Sequence, residues 1–194
     1  MSLSEEDKGV LLLSAKEAIH KLFSDDIKFP EIDYKLYPEL SRRNTGAFVT
    51  LTSHGQLRGC IGFLTSSNTL FETVLEAAQE AAANDPRFAP VTSEDLSNID
   101  VEISVLSEAV PISNYEDIII GEHGLILDSP PYHAVLLPQV AVEHEFTTSE
   151  YLSALCEKAG LNSNEWMENP LNIKVFTAAV FSEIGKRKTT NERY

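Results

Sequence analysis

The sequence predicts an α+β protein: mainly an antiparallel sheet flanked by helices, with a smaller β-rich lobe. Apolar residues recur at helical spacing in separate stretches, each opened by a Ser or Thr with an acidic residue three positions on. Between them, apolar and polar residues alternate over short runs, the period of a half-buried strand. The two patterns follow one another irregularly, as hairpins beside helices and not as repeating βαβ units.

Ser4-Glu5-Glu6-Asp7 opens the first helix, in which Leu11, Ala15, Ala18 and Leu22 make one apolar stripe. Residues 24–45 read as irregular, broken by Pro30 and Pro38. Ala47, Val49 and Leu51 alternate up to Ser53-His54-Gly55-Gln56, and the chain returns through LRGCIGFL, residues 57–64, as a hairpin. Thr69 and Glu72 form a capping box for a second helix through Leu70, Val74, Ala77 and Ala81. That helix stops before Asp85-Pro86, because the residue preceding a proline avoids the helical region. A short helix over 92–97 precedes a strand in which Val101, Ile103 and Val105 alternate with Glu102 and Ser104. Strand-like runs follow at Asp117–Ile120, Leu125–Leu127, Ala134–Leu137 and Val140–Val142, and they predict the smaller lobe within about 110–145. Thr147 and Glu150 cap a third long helix that closes at Gly160, and a last strand spans Ile173–Phe181. There is no internal repeat and no low-complexity linker, so residues 1–194 read as a single domain.

Hydrophobic residues make up 43% of the chain and charged residues 23%, the range in which a core forms without staples. Thirty acidic residues against 15 basic ones leave a net charge of -15, a field that repels phosphate backbones. The basic cluster Lys186-Arg187-Lys188 with Arg193 reads as a solvated terminus more than as a binding arm. No apolar run reaches the length of a membrane span, and MSLSEEDKGVLLLSAK puts acidic charge ahead of its short apolar run, the wrong order for a secretory signal. A cytoplasmic protein with no membrane or nucleic-acid partner is expected.

Several motifs fail. His144-Glu145-Phe146-Thr147-Thr148 lacks the second histidine of HExxH, and the five histidines have no ligand spacing with the two cysteines, so no metal is predicted. Neither GxGxxG nor a P-loop occurs.

LRGCIG is the unusual stretch. Strand positions two apart share a face. Leu57, Gly59, Ile61 and Phe63 then point into the core, while Arg58, Cys60 and Gly62 point the other way as a pocket wall. That wall holds a cation, a thiol and an empty position where a ligand could lie against the backbone. A guanidinium beside a sulfur favours the thiolate, which makes Cys60 a candidate nucleophile. The plainer reading is a small buried hydrophobe with bulge glycines. His123, in the turn of GEHGLIL, reads as a general base or orienting group, or as a turn histidine bonded to backbone. Gln139 and Glu143 share parity on LLPQVAVE, taken as a strand, and so would share a face. Cys60, His123 and Glu143 have the residue types of a Cys–His–acid arrangement. Arg58, Gly59, Gly62, Asp85, Arg87 and Gln139 are the candidate binding residues; Asp85 and Arg87, flanking Pro86, equally suit a structural pair.

The same motif carries a resemblance. LRGCIG, NDPRFAPVTSEDL (84–96), VEISVL (101–106), GEHGLIL (121–127), LLPQVAVE (136–143) and CEKAGL (156–161) occur in the order of the AMMECR domain family, which includes protein A of the AmmeMemoRadiSam system. The likeness runs from about residue 10 to residue 183. It implies an α+β fold of two lobes with a cleft between them, an intracellular location, and Memo-like and radical-SAM partner proteins. It implies no reaction and no cofactor. Two readings follow: a protein that binds or modifies a small anionic or carbonyl-bearing metabolite, or a non-catalytic adaptor that docks partner proteins through the same face.

With this charge, no duplex or single-strand binding is expected in a fluorescence-anisotropy titration at physiological salt. Micromolar affinity falling steeply with salt would overturn that and point to residues 186–193.

Overall fold

In chain order the elements are α1 (Glu5–His20), β1 (Ala47–Ser53), β2 (Gln56–Phe63), α2 (Leu70–Ala83), β3 (Ile99–Leu106), β4 (Val110–Pro111), β5 (Gly124–Ser129), β6 (Tyr132–Leu136), α3 (Pro138–Glu143), α4 (Thr148–Lys158), α5 (Glu165–Glu168), β7 (Ile173–Phe176) and β8 (Ala178–Ser182). This computed structural model describes residues 3–24 and 32–183; Pro30 and the cluster of Lys186, Arg187, Lys188 and Arg193 lie outside the described residues. The fold is α+β, with two antiparallel sheets ordered β2-β1-β3-β8 and β4-β7-β5-β6. The chain divides into two compact units, Met1–Leu106 with Ala179–Tyr194, and Ser107–Ala178. The second takes in the 110–145 stretch together with α4, α5 and β7.

In the first unit, α1 begins where Ser4 and Asp7 close a capping box, the Ser4 N–H donating to Asp7 at 2.8 Å and the Asp7 N–H to Ser4 Oγ at 3.0 Å. It ends at His20, so Leu22 falls beyond the stripe it was expected to extend and is exposed. Thr69 and Glu72 start α2 in the same way. Leu11, Ala15 and Ile19 of α1 and Leu70, Val74, Ala77 and Ala81 of α2 bury against Ala47, Val49 and Leu51 of β1 and Val101, Ile103 and Val105 of β3. Each fully buried aliphatic side chain contributes about 1.5–3 kcal/mol, which is why the helices lie on this sheet face. The short helix expected over 92–97 is a 3-10 turn at Asp95–Asn98, whose Asp95 carboxylate accepts the Thr92 N–H at 2.9 Å.

The β1–β2 hairpin turns through His54 (φ 51°) and Gly55 (φ 77°), the pair of positive φ values a two-residue primed turn requires. Its register then shifts once. Leu51 faces Gly59 and Thr52 faces Leu57, which leaves Arg58 as the extra residue of a bulge. Leu57 is therefore not a core residue, as simple alternation predicts, but 45% exposed. At Gly59 a Cβ would stand 2.2 Å from the Ala81 carbonyl oxygen, so α2 rests on β2 at backbone contact.

In the second unit, Leu125, Leu127, Ala134, Leu136, Ile173 and Val175 of the sheet bury against Ala141 of α3 and Tyr151, Leu152 and Leu155 of α4. Gly160 (φ 81°) closes α4 as a Schellman motif: its N–H donates to the Glu157 carbonyl and the Leu161 N–H to that of Cys156, both at 2.9 Å. Three expected strands differ. Val140–Val142 is helical, because Pro138 has no N–H for a ladder and its fixed φ suits the first turn of α3. Asp117–Ile120 is a 3-10 turn and its exit, begun by Asn114 accepting the Glu116 N–H at 3.0 Å. The last strand, expected over Ile173–Phe181, breaks at Thr177. The N–H and carbonyl of Thr177 bond to Ser107 at 2.9 Å each, and β7 and β8 belong to different sheets.

Gly59→Ala should cost about 3 kcal/mol of stability, since backbone meets backbone there and neither can yield. Gly55→Ala, with nothing within 4 Å among the described residues, should cost about 1 kcal/mol, for its positive φ alone. Urea unfolding of both variants checks the order; equal costs would mean that α2 can move off β2.

Candidate functional site

Cys60 is held by its backbone. Its N–H donates to Asp85 Oδ2 at 2.8 Å, and its carbonyl accepts Arg87 Nη2 at 3.0 Å. Asp85 in turn accepts the Arg87 N–H at 3.1 Å and the guanidinium through Nε at 3.0 Å and Nη2 at 2.7 Å. The Asp85 side chain is 2% exposed and that of Arg87 55%. The hydrogen bonds from Arg87, foremost, and the Cys60 N–H hold the Asp85 carboxyl well below the usual carboxylate range, against the upward push of burial. The Arg87 pKa is raised, first by the hydrogen bond to Asp85, with Cys60 also among the causes. Asp85 and Arg87 thus form the structural pair that the sequence left open, and they form it around Cys60.

Arg58, expected beside the thiol, is committed elsewhere. Its guanidinium donates to the carbonyls of Ala89 and Pro90, the latter at 2.9 Å, and to Asp95 at 3.3 Å. The arginine bonded to Cys60 is Arg87, two residues after Asp85 in the loop that follows α2. The open space expected at Gly62 is also taken. A Cβ there would stand 2.4 Å from the Phe48 ring, so the neighbouring strand fills it, just as α2 fills the place beside Gly59.

What remains beside Cys60 comes from register. Thr50 pairs with Cys60 on one side and with Glu102 on the other, so thiol, hydroxyl and carboxylate stand in one row across β2, β1 and β3. The three lie on the sheet face opposite the helices and are all half-buried. Thr50 Oγ1 donates to Cys60 Sγ at 3.4 Å. Sequence reasoning missed Thr50 and placed Glu102 only as an alternating polar position. The signal was the pairing of three strands, which no single strand carries.

The other predicted residues lie in the second unit. His123 Nδ1 accepts the Ile119 N–H at 3.2 Å, the turn histidine bonded to backbone, and its ring is half-buried. Gln139 and Glu143 do share a face, but as neighbours about one turn apart on helix α3 instead of four positions apart on a strand. Glu143 is exposed; Gln139 is half-buried, with its Oε1 buried and without a partner among the described residues. The structure places Cys60 in one unit and His123 and Glu143 in the other. Both cysteines are free thiols. Cys156, 1% exposed on α4, has its thiol pKa raised, first by burial. Among the described residues no group of three or more His, Cys, Asp or Glu is placed to hold a metal ion.

The class defined by this fold is a two-sheet α+β protein whose LRGCIG edge strand is locked by an Asp-Pro-Arg loop. The chain belongs to the AMMECR1 family, whose model matches residues 12–181. It is 40% identical to protein MJ0810 of Methanocaldococcus jannaschii over 165 residues, 81% of this chain and 82% of that one. It is 41% identical to protein PF1979 of Pyrococcus furiosus over 156 residues, 75% of this chain and 74% of the relative. The crystal structure of uncharacterized protein PH0010 from Pyrococcus horikoshii matches at a TM-score of 0.82 and 34% identity, with 93% of each chain covered. Among the described residues no helix is long and apolar enough to cross a membrane.

The lowered Asp85 pKa has a sign. A carboxyl depressed by folding stabilises the native state above its unfolded value, about 3.9, and that contribution is lost as pH falls through the folded value. Asp85→Asn should be about 2 kcal/mol less stable than the native protein at pH 7. The gap should narrow as pH drops below about 4. Urea melts across that range check it, and a gap independent of pH would show that the charge of Asp85 is not what holds Cys60.

Proposed function

We propose that the chain binds a small carbonyl-bearing metabolite on the sheet face of Cys60, Thr50 and Glu102, with Cys60 meeting the carbonyl carbon. The observation that supports this is the cross-strand row itself: a half-buried thiol backed by a hydroxyl, with a half-exposed arginine bonded to the same residue. Glu102 stands two strand spacings from Cys60, about 10 Å. That is too far to exchange a proton with the thiol directly, but a suitable distance to accept a hydrogen bond from the far end of a small ligand. The guanidinium of Arg87 favours a ligand with negative charge near its carbonyl. Addition of the thiol forms one sulfur–carbon bond, opens the carbonyl π bond and moves the thiol proton to the carbonyl oxygen. No further reagent is needed, and the step reverses freely.

The surrounding context in this reading is the one the resemblance implies, a cytoplasmic protein working with Memo-like and radical-SAM proteins. A second reading, a non-catalytic adaptor, is favoured by Leu57 and Leu64, which are 45% and 38% exposed at the two ends of the same edge strand.

Alkylation with iodoacetamide at neutral pH should label Cys60 at least ~10-fold faster than the buried Cys156. Glyoxylate, a small anionic aldehyde, should protect Cys60 saturably and leave the slow labelling of Cys156 unchanged. Peptide mass spectrometry reads both. Equal rates, or no protection by glyoxylate, would remove the carbonyl site and leave the adaptor as the better reading.

A further inference from the structure

We propose that the first unit carries a second small-molecule site, a groove between α1 and α2 that takes a compact, neutral, apolar molecule bearing one hydroxyl or carbonyl group. The groove has a volume of about 280 Å³. This is close to the lower end of ligand-pocket sizes, ~300–1,000 Å³, so it suits a single ring or a short chain. Its walls are Ala18 of α1, Ile32, and Phe71 and Leu75 of α2. The Phe71 ring is fixed by stacking on Tyr34, with centroids 4.5 Å apart.

The observation that calls for a ligand is Ser14, which also lines the groove. It is 3% exposed, and its hydroxyl is buried with no hydrogen-bond partner among the described residues. A serine or threonine inside a helix ordinarily donates to the carbonyl four residues back. Thr73 on α2 does so, fully buried and 2.8 Å from the Thr69 carbonyl. Ser14 does not, and an unsatisfied buried hydroxyl costs about 1–3 kcal/mol. The remaining polar groups of the groove are already engaged. Gln79 donates its amide to the Ala18 carbonyl at 3.4 Å, and Lys21 pairs with Glu17 at 2.5 Å. A paired rim favours a neutral ligand, and the free hydroxyl on the apolar floor favours one polar atom on it. The groove is formed by the helices, on the opposite side of the sheet from Cys60, so it stands apart from the site proposed above.

Benzyl alcohol and toluene, which differ by the hydroxyl, are the probes. In ¹H–¹⁵N spectra of the native protein, benzyl alcohol should shift the Ala18 and Leu75 amides saturably, about fivefold more tightly than toluene, the worth of one modest hydrogen bond. Ser14→Ala, which suits a helix interior, should make the two probes bind equally, and Leu75→Trp, which fills the groove, should abolish both. No saturable shift with either probe would overturn the site. A preference for the alcohol that is absent in the native protein, or that survives Ser14→Ala, would overturn the role of the hydroxyl. If Leu75→Trp fails to fold, the Ser14→Ala comparison still decides.

Discussion

A carboxylate withdrawn from water must find donors for its lone pairs, and Asp85 finds four bonds on just two partners, Arg87 and the Cys60 N–H. Much of the first unit is organised around that requirement. β2 is an edge strand. Its Cys60 N–H and carbonyl are the groups a further strand would pair with, and the Asp85 and Arg87 side chains take them instead. Side chains standing in for a missing strand are one way of closing an edge against unwanted pairing. The pair is delivered by the end of α2: the helix finishes at Ala83, and Pro86 keeps Asp85 from continuing it. The same helix end presses the Ala81 carbonyl onto Gly59. Strand, helix end and loop are therefore fixed relative to one another within one residue of the thiol.

The two glycines of LRGCIG have different physical causes. Gly59 admits a helix backbone, and Gly62 admits the Phe48 ring from the paired strand. The second device recurs in the other unit, where Gly124 faces Phe176 and a Cβ would stand 2.3 Å from the ring. A ring laid over a cross-strand glycine recovers apolar contact that the glycine itself cannot supply. Neither glycine of the motif leaves room for a ligand, so any chemistry on this strand has to use the thiol and what the register puts beside it.

The elements most legible in the sequence were those whose signal is local. Three capping boxes, the His54-Gly55 turn and the Gly160 cap each rest on residues within four positions of one another, and each occurs as read. Readings that failed either passed over a local signal, as at Pro138, or needed information from elsewhere in the chain. The alternation of Val140 and Val142 fits a strand until Pro138 is seen to sit at the start of a helix. The apolar run through Phe181 conceals a break because Thr177 is claimed by Ser107, 70 residues away. At the site, alternation ignores the bulge and so makes Arg58 the neighbour of Cys60, while Arg87 reads as a candidate binding residue or half of a structural pair, with nothing local to tie it to Cys60. Thr50 and Glu102 became visible through the pairing of β1 with two strands at once.

Register is also what separates chemistry from core in this unit. The helix-facing side is aliphatic from Ala47 to Leu51 on β1 and from Ile99 to Val105 on β3, while Thr50, Cys60 and Glu102 share the other side. Because side chains alternate with a period of two, a slip of one residue in β2 would turn Cys60 toward α2 and carry Ile61 onto the polar face. The single bulge at Arg58 absorbs such a slip before it reaches Cys60, and the Asp85–Arg87 lock then grips the first properly paired residue of the polar face. Cys156 shows the contrast. It has the same thiol, but on the buried side of α4 beside Leu152 and Leu155, where burial raises the pKa. The two cysteines differ through the constraints on the backbone that carries them, and only at Cys60 do those constraints hold a thiol at the edge of solvent.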